Sequence, residues 1–129
     1  MLALRPGSPA AILVRLAIVA LTVATGWIHF GLGGTLFTLN GVGYLVAAVA
    51  MILPLPIAVR FRWFIRLGLV GYAIVAIVGW YVMGPRWIVA YVAKAIEVAL
   101  IALLLLEVRS FDGNPIARIR RIAAPFVRA

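Results

Sequence analysis

The chain alternates between four long apolar stretches and short breaks that are polar or rich in glycine and proline. The apolar stretches cover residues 10–30, 36–57, 63–83 and 87–108. Each is close to the roughly 20 residues that an α-helix needs to cross a hydrocarbon core at about 1.5 Å per residue. They are apolar on every face, whereas the strands of a membrane barrel alternate between polar and apolar positions. The pattern therefore predicts an all-α polytopic membrane protein with four transmembrane helices, forming a single membrane domain over residues 1–129.

The breaks between the stretches carry residues that end helices and reverse the chain. A glycine-rich segment at residues 31–34 follows the first stretch, Pro54 and Pro56 lie near the end of the second, and Gly84-Pro85 follows the third. Connections this short place consecutive helices side by side and antiparallel. We therefore expect an antiparallel four-helix bundle.

Composition supports a membrane location and excludes several classes of chemistry. Of 129 residues, 67% are hydrophobic and 12% charged, and the mean hydropathy is +1.21, a balance that a water-soluble domain of this size could not bury. The chain has no cysteine, three acidic residues and one histidine. These counts exclude disulfide scaffolds, thiolate metal sites, iron–sulfur clusters and cysteine nucleophiles. No metal site is expected.

Basic residues collect on one side of the predicted bundle. Ten arginines fall there, namely Arg5, Arg15, Arg60, Arg62, Arg66, Arg109, Arg118, Arg120, Arg121 and Arg128. Only Arg86 falls on the other side, so the positive-inside rule predicts that both termini are cytoplasmic, in a bacterial inner membrane. A signal peptide is the competing interpretation of the first stretch, but Arg15 interrupts that stretch and no clear small-residue cleavage site follows it.

The net charge of +9 has a placement that points to lipid rather than nucleic acid. We expect six arginines to contact the lipid headgroups: Arg60, Arg62, Arg66, Arg118, Arg120 and Arg121. After the fourth stretch, Asn114-Pro115 is a typical helix start, and an apolar face follows it at Ile116, Ile119, Ile122, Ala123 and Phe126. The tail over residues 109–129 is therefore predicted to contain a short basic amphipathic helix on the inner leaflet. A solvated tail and docking onto a partner subunit are the alternatives.

Five polar residues within the stretches are unsuited to a lipid-facing surface: His29, Asn40, Tyr44, Lys94 and Glu97. The antiparallel arrangement places His29, Asn40 and Lys94 in the outer half of the bundle, where a shared polar pocket can form. A charge in mid-span costs about 2.5–3.5 kcal/mol, so Lys94 and Glu97 are expected to pair. The pair fits a structural role in helix packing. Two alternatives remain, namely a proton carrier at Glu97 with Lys94 setting its charge and His29 as a gate, and contact with a cofactor or quinone headgroup.

His29 also requires consideration as an axial ligand of haem or chlorophyll. A second histidine is absent, and neither Met51 nor Met83 is placed to complete a His/Met site, so a hydrogen bond to water or a backbone carbonyl is favoured. Glu107 and Asp112 are interpreted as marking the end of the fourth stretch. No catalytic residues are predicted, because the chain shows no paired carboxylates, no nucleophile beside a base and no phosphate loop.

A family resemblance is carried by residues 26–30, Gly-Trp-Ile-His-Phe, followed by Gly43 through Ala50 and Leu53-Pro54. Roughly the first half of the chain resembles small four-helix bacterial membrane proteins of the DoxX-like kind. Those proteins often carry an acidic residue in the second span, where this chain has Tyr44. The run Tyr91, Lys94, Glu97 looks like that of uncharacterised small bacterial membrane proteins. The resemblance implies a compact four-helix unit, sometimes associated with quinone-linked respiratory complexes.

These observations lead to one functional hypothesis and two rivals. The chain has few reactive groups, so we expect a non-catalytic accessory subunit of a larger bioenergetic membrane complex, respiratory or photosynthetic. Such a subunit would hold no cofactor of its own and would contact quinone, haem or chlorophyll held by partner subunits. The first rival is a small oligomeric proton-linked transporter or channel that uses Lys94 and Glu97. The second rival, an enzyme acting on a quinone or lipid, requires a site that the sequence does not display.

Overall fold

A computed structural model describes residues 3–127 of the chain. Its helices are α1 (Pro9–Gly31), α2 (Thr35–Ile52), α3 (Pro56–Arg60), α4 (Arg62–Met83), α5 (Ile88–Glu107) and α6 (Pro115–Val127), and a π-helical turn (Val108–Asp112) continues α5. No strand occurs among these residues. Helices α1, α2 and α4, and α5 together with the π-helical turn, are long and apolar enough to cross a membrane. The predicted all-α architecture with four spanning helices is thus confirmed; Arg128, one of the ten arginines counted above, lies outside the described residues.

Local sequence explains where most of these helices begin and end. The Ser8 hydroxyl caps α1 by accepting a hydrogen bond from the Ala11 backbone N–H at 3.2 Å, and Pro9 occupies the first helical position. Asn114 caps α6 in the same way, because its side-chain oxygen accepts from the Ile116 N–H at 3.0 Å. The predicted start of the tail helix is therefore confirmed. Gly33 and Gly34 have φ values of 75° and 86°, a left-handed conformation that suits glycine at the α1–α2 reversal.

The second apolar stretch is not one continuous helix. Whereas residues 36–57 were expected to form a single span, α2 ends at Ile52 and a separate short helix begins at Pro56. Pro54 causes the break, because the residue before a proline is driven out of the helical region, and Leu53 is extended with ψ 123°. Pro56 then starts α3 at a position where its missing N–H is not needed.

The four long helices form a ring in which each packs on two neighbours. α1 contacts α2 and α5, and α4 contacts α5 and α2; of these contacts, the seam between α2 and α4 is the least extensive. The buried core runs along the centre of the ring and comprises Ile18, Tyr44, Met51, Leu69, Val70, Leu100 and Leu104. One end of the bundle, here called the basic end, contains the starts of α1 and α4 and the ends of α2 and α5. The other, the hairpin end, contains the loops at residues 32–34 and 84–87.

Helices α1 and α2 cross at two glycines. A Cβ atom added at Gly41 would lie 2.8 Å from the Gly26 carbonyl oxygen, and one added at Gly26 would lie 3.2 Å from the Gly41 carbonyl oxygen. Backbone contact this close is available only to residues without a side chain. The crossing positions His29 on α1 next to Tyr44 on α2.

The outward faces of the long helices are apolar. Leu16, Val46, Val75 and Val98, one from each helix, expose more than half of their surface. The apolar positions Ile116, Ile119 and Ile122 of α6 are exposed as well. Such an exterior suits contact with a lipid bilayer.

Candidate functional site

The first buried polar cluster lies toward the hairpin end and is centred on Glu97 of α5. The Glu97 side chain is fully buried, and both carboxylate oxygens accept hydrogen bonds. Lys94 donates to Oε2 at 2.8 Å, and the Thr25 hydroxyl of α1 donates to Oε1 at 3.1 Å. The pairing that the sequence predicted between Lys94 and Glu97 is confirmed. We call Thr25, His29, Tyr44, Lys94 and Glu97 the Glu97 cluster.

His29 points into this cluster rather than outward. Its Nδ1 lies 2.6 Å from the Thr25 carbonyl oxygen, and because a carbonyl can only accept, Nδ1 carries the proton. Nε2 faces Glu97 Oε1 at 3.9 Å, beyond hydrogen-bond distance. The expected bond from His29 to a backbone carbonyl is confirmed. The side chain is nearly fully buried, so this orientation does not present a ring nitrogen to a haem or chlorophyll held by a neighbouring subunit.

Tyr44 fills the space between His29 and α4. Its ring centre lies 5.4 Å from that of His29 and 4.8 Å from that of Tyr72, the latter in an edge-on arrangement. The Tyr44 hydroxyl is buried and has no hydrogen-bond partner among the described residues. A buried hydroxyl without a partner destabilises a fold by about 1–3 kcal/mol.

Asn40 joins the region through its main chain. Its carbonyl oxygen accepts a hydrogen bond of 2.9 Å from the Tyr72 hydroxyl, and its side-chain amide makes no hydrogen bond within residues 3–127. The predicted polar pocket therefore contains the side chains of His29, Tyr44, Lys94 and Glu97, but not that of Asn40. Thr25 was missed because threonine is common in apolar helices, although its spacing of four from His29 was an available signal.

The second buried cluster lies at the basic end and is centred on Glu107. Glu107 is fully buried and accepts hydrogen bonds from Arg15 of α1 and Arg66 of α4. The Arg15 Nε lies 2.8 Å from Oε2 and the Arg66 Nε lies 3.0 Å from Oε1. Arg66 also donates from Nη1 to Asp112 Oδ1 at 2.6 Å. We call Arg15, Arg66, Glu107 and Asp112 the Glu107 cluster.

The π-helical turn explains how one arginine reaches two acids. Glu107 and Asp112 are five residues apart, which in an α-helix points their side chains in different directions. The i to i+5 bonding of a π-helix turns residues at this spacing toward the same side. Arg66 therefore bonds both carboxylates, and its guanidinium also lies 5.5 Å from the centre of the Phe111 ring.

The structure changes the interpretation of several charged residues. Arg66, assigned by sequence to the lipid headgroups, is buried and paired with Glu107 and Asp112. Arg62, assigned there too, donates from Nη2 to the Leu53 carbonyl at 2.7 Å, at the end of α2. The Arg62 Nε is buried without a partner among the described residues. Glu107 and Asp112 do lie at the end of the fourth spanning helix, as the sequence indicated, and both also accept hydrogen bonds from Arg66.

The remaining arginines of the headgroup set lie on the outside. Arg60, Arg120 and Arg121 are exposed. Arg118 is partly exposed, lies 4.9 Å above the Trp63 ring and approaches Asp112 at 3.9 Å. These contacts tie the start of α6 to the basic end of the bundle.

The two clusters differ in charge and in access. Lys94 and Glu97 compensate one another, whereas the Glu107 cluster pairs Arg15 and Arg66 with Glu107 and Asp112 and has a third guanidinium, that of Arg118, at 3.9 Å from Asp112. A cavity of about 360 Å³ lies against Arg15 and Arg66, and a second of about 250 Å³ lies between α2 and α4. No side chain of the Glu97 cluster lines either cavity. Within residues 3–127, no group of three histidine, aspartate or glutamate side chains is placed to hold a metal ion.

No family model, curated protein or solved structure matches this chain. The arrangement of its own residues therefore carries the functional argument. That arrangement defines a bundle of four span-length helices with apolar outer faces and with acidic side chains paired inside it.

Proposed function

We propose that this protein is a non-catalytic accessory subunit of a larger bioenergetic membrane complex, respiratory or photosynthetic. The observation that carries the proposal is that the buried acids Glu97 and Glu107 are both bonded to cations of the same chain. Breaking such pairs leaves a buried charge uncompensated. Glu107 joins α5 to α1 and α4 through its arginines, and Glu97 joins α5 to α1 through Thr25. The few ionisable groups of the interior are thereby occupied, which favours a structural role over an independent reaction.

The outer surface supports the same proposal. Apolar side chains on the four long helices can meet lipid or the spanning helices of larger subunits. On α4, a Cβ atom added at Gly68 or Gly71 would meet nothing within 4 Å, so a partner helix has room to approach the backbone closely. The resemblance of residues 26–30, 43–50 and 53–54 to DoxX-like proteins also favours a small unit within a respiratory assembly.

The concentration of arginines at the basic end supports a specific orientation as part of the proposal. The arginines at this end belong to three segments, namely residues 5–15, 60–66 and 109–121. Arg86 lies at the hairpin end. By the positive-inside rule, both termini face the cytoplasm of a bacterium and the chain lies in its inner membrane.

Purification of the tagged full-length chain in a mild detergent tests the proposal. We expect larger integral membrane subunits to co-purify, identified by mass spectrometry, together with haem or chlorophyll absorbance in the eluate. Gly71→Leu, which places bulk on the open face of α4, should reduce this recovery, whereas Ala99→Leu on the exposed face of α5 is the matched control. A colourless, monodisperse particle that never elutes with larger subunits would contradict the proposal.

A small oligomeric proton-linked transporter is the second candidate. The observation that favours it is the placement of His29 Nε2 at 3.9 Å from Glu97 Oε1, with Lys94 bonded to the other oxygen. A buried carboxylate beside an imidazole can accept and pass on a proton. The test is proton flux into vesicles that contain the purified chain. Flux that Glu97→Gln abolishes would support this candidate. Flux equal to that of empty vesicles would exclude it.

A further inference from the structure

The cavity of about 360 Å³ at the basic end is open to the outside and is lined by four separate parts of the chain. Gly7 comes from the N-terminal segment, Ile12 and Arg15 from α1, Arg66 from α4 and Phe111 from the π-helical turn. A hydrogen bond of 2.8 Å from the Leu4 N–H to the Ser110 hydroxyl fastens the N-terminal segment to that turn. The buried Leu4 side chain adds to this attachment. The walls of the cavity are therefore fixed by tertiary contacts.

Two guanidinium groups line this cavity with donors to spare. Arg15 uses Nε for Glu107 and Nη1 for the Met51 carbonyl, and Arg66 uses Nε for Glu107 and Nη1 for Asp112. The Nη2 atom of each arginine makes no hydrogen bond within residues 3–127. Neither Nη2 atom is among the fully buried polar atoms without a partner in that range. Both guanidinium groups therefore keep N–H donors for an anion, and arginine N–H groups are well suited to phosphate oxygens.

The charge of the surroundings favours an anion at this place. Arg15 and Arg66 compensate Glu107 and Asp112, and Arg118 lies 3.9 Å from Asp112 as an additional cation. Among the described residues, the nearby Arg62 guanidinium bonds only backbone carbonyls at the end of α2. Positive charge therefore exceeds negative charge at this end of the bundle, which attracts an anion.

The outer rim of the cavity is apolar and belongs to the spanning surface. Ile12 and Leu16 lie one helical turn apart on α1, on either side of Arg15, and expose 54% and 56% of their surface. An anion with a hydrocarbon tail can therefore contact the arginines with its headgroup while its tail follows α1 toward the hairpin end. A small inorganic anion would leave this rim uncovered.

We propose that this cavity binds one anionic phospholipid of the membrane leaflet at the basic end. Its phosphate bonds Arg15 and Arg66, and one acyl chain lies against Ile12 and Leu16. Basic pockets between spanning helices are suited to anionic lipid headgroups. A zwitterionic lipid is a poorer occupant because its own ammonium group offsets the negative charge of its phosphate. This binding is independent of whether the chain belongs to a larger complex.

Native mass spectrometry of the delipidated full-length chain in dodecyl maltoside tests the proposal. The chain is mixed with equal amounts of dioleoyl phosphatidylglycerol and dioleoyl phosphatidylcholine. We expect one phosphatidylglycerol to be retained per chain, in preference to phosphatidylcholine. Equal retention of the two lipids would overturn the proposal, as would displacement of the phosphatidylglycerol by millimolar inorganic phosphate, which would identify the ligand as a free anion.

Two substitutions locate the site. Ile12→Trp adds bulk at the rim and should weaken phosphatidylglycerol binding about tenfold, equivalent to about 1.4 kcal/mol. Leu13→Trp is the matched control, because Leu13 is 67% exposed on the neighbouring face of α1 and lines no part of the cavity. Unchanged binding in Ile12→Trp, or equal weakening in both variants, would place the lipid elsewhere.

The charge of the site is tested separately. Arg15→Gln removes one donor and one positive charge from the Glu107 cluster, while Arg66 still compensates Glu107. We expect this variant to lose the preference for phosphatidylglycerol over phosphatidylcholine and Arg15→Lys to retain it. Circular dichroism confirms that each variant is helical before it is compared. Persistence of the preference in a folded Arg15→Gln variant would overturn the proposed role of the arginines.

Discussion

Arg66 on α4 and Glu107 at the end of α5 form an ion pair with 3.0 Å between Nε and Oε1, and both side chains are buried. Glu107 also bonds Arg15 of α1, and ten residues earlier on the same helix Glu97 bonds Thr25 of α1. Both buried glutamates of α5 therefore connect it to its neighbours, one toward each end of the bundle. α5 thus joins α1 and α4 by polar contacts as well as by apolar packing.

Loss of the Arg66 side chain is expected to destabilise the bundle strongly. Among the described residues, Arg66→Leu leaves Asp112 with only the distant Arg118, at 3.9 Å, and deprives Glu107 of one of its two cations. Removing one partner of a buried pair costs about 3–5 kcal/mol. Thermal unfolding in detergent, followed by circular dichroism, measures the effect. Arg60→Leu changes an exposed arginine and should alter stability by less than about 0.5 kcal/mol; a similar loss in both variants would contradict the assigned role of Arg66.

Lys94 and Glu97 are expected to be energetically coupled. Lys94→Met alone leaves the buried Glu97 carboxylate with the Thr25 hydroxyl but without its cation, and Glu97→Gln alone leaves Lys94 without its anion. The double substitution removes both charges, so its destabilisation should be smaller than the sum of the single effects by about 0.5–3 kcal/mol. A double-mutant cycle of unfolding free energies gives this number directly. Strict additivity would show that the pair does not interact.

The crossing of α1 and α2 predicts opposite effects for two glycine substitutions. Gly41→Ala places a methyl group 2.8 Å from the Gly26 carbonyl oxygen, so the helices must separate, at a cost of about 1–3 kcal/mol. Gly68→Ala places a methyl group in open space on α4 and should stabilise the helix by up to about 1 kcal/mol. Melting temperatures of the two variants in the same detergent test the difference in sign. A destabilisation of similar size at both positions would contradict the crossing geometry.

The two tyrosine hydroxyls near the Glu97 cluster differ in whether they are bonded. Tyr44→Phe removes a buried hydroxyl that has no partner among the described residues, so the variant should be at least as stable as the native chain. Tyr72→Phe removes a 2.9 Å hydrogen bond to the Asn40 carbonyl and should cost about 0.5–1.5 kcal/mol. Unfolding of both variants under identical conditions compares them. Greater destabilisation by Tyr44→Phe would show that its hydroxyl is bonded.

Hydropathy along the chain was sufficient to predict four spanning helices, their antiparallel order and the amphipathic tail helix. Each of these depends on features that are local in sequence: the length of an apolar run, a cap such as Asn114 or a break such as Pro54. Pro54 alone was sufficient to predict that α2 ends near Ile52. The break was not predicted because the residues around Pro54 are apolar and continue the hydropathy of the stretch. The pairing of Lys94 with Glu97 was predictable for the same reason, because residues three positions apart on one helix are neighbours whatever the rest of the chain does.

Only the tertiary structure decided which of the remaining polar groups meet. Arg15 and Glu107 are separated by 92 residues, and Arg66 and Glu107 by 41, so their contacts depend on helix rotation and depth rather than on spacing in the sequence. The same holds for Thr25 and Glu97, and for Asn40, whose carbonyl rather than its side chain is engaged. The sequence determined which segments can cross a membrane, because burial in hydrocarbon is a property of each segment by itself. The packing determined which charges are compensated, because compensation requires two segments to be in contact.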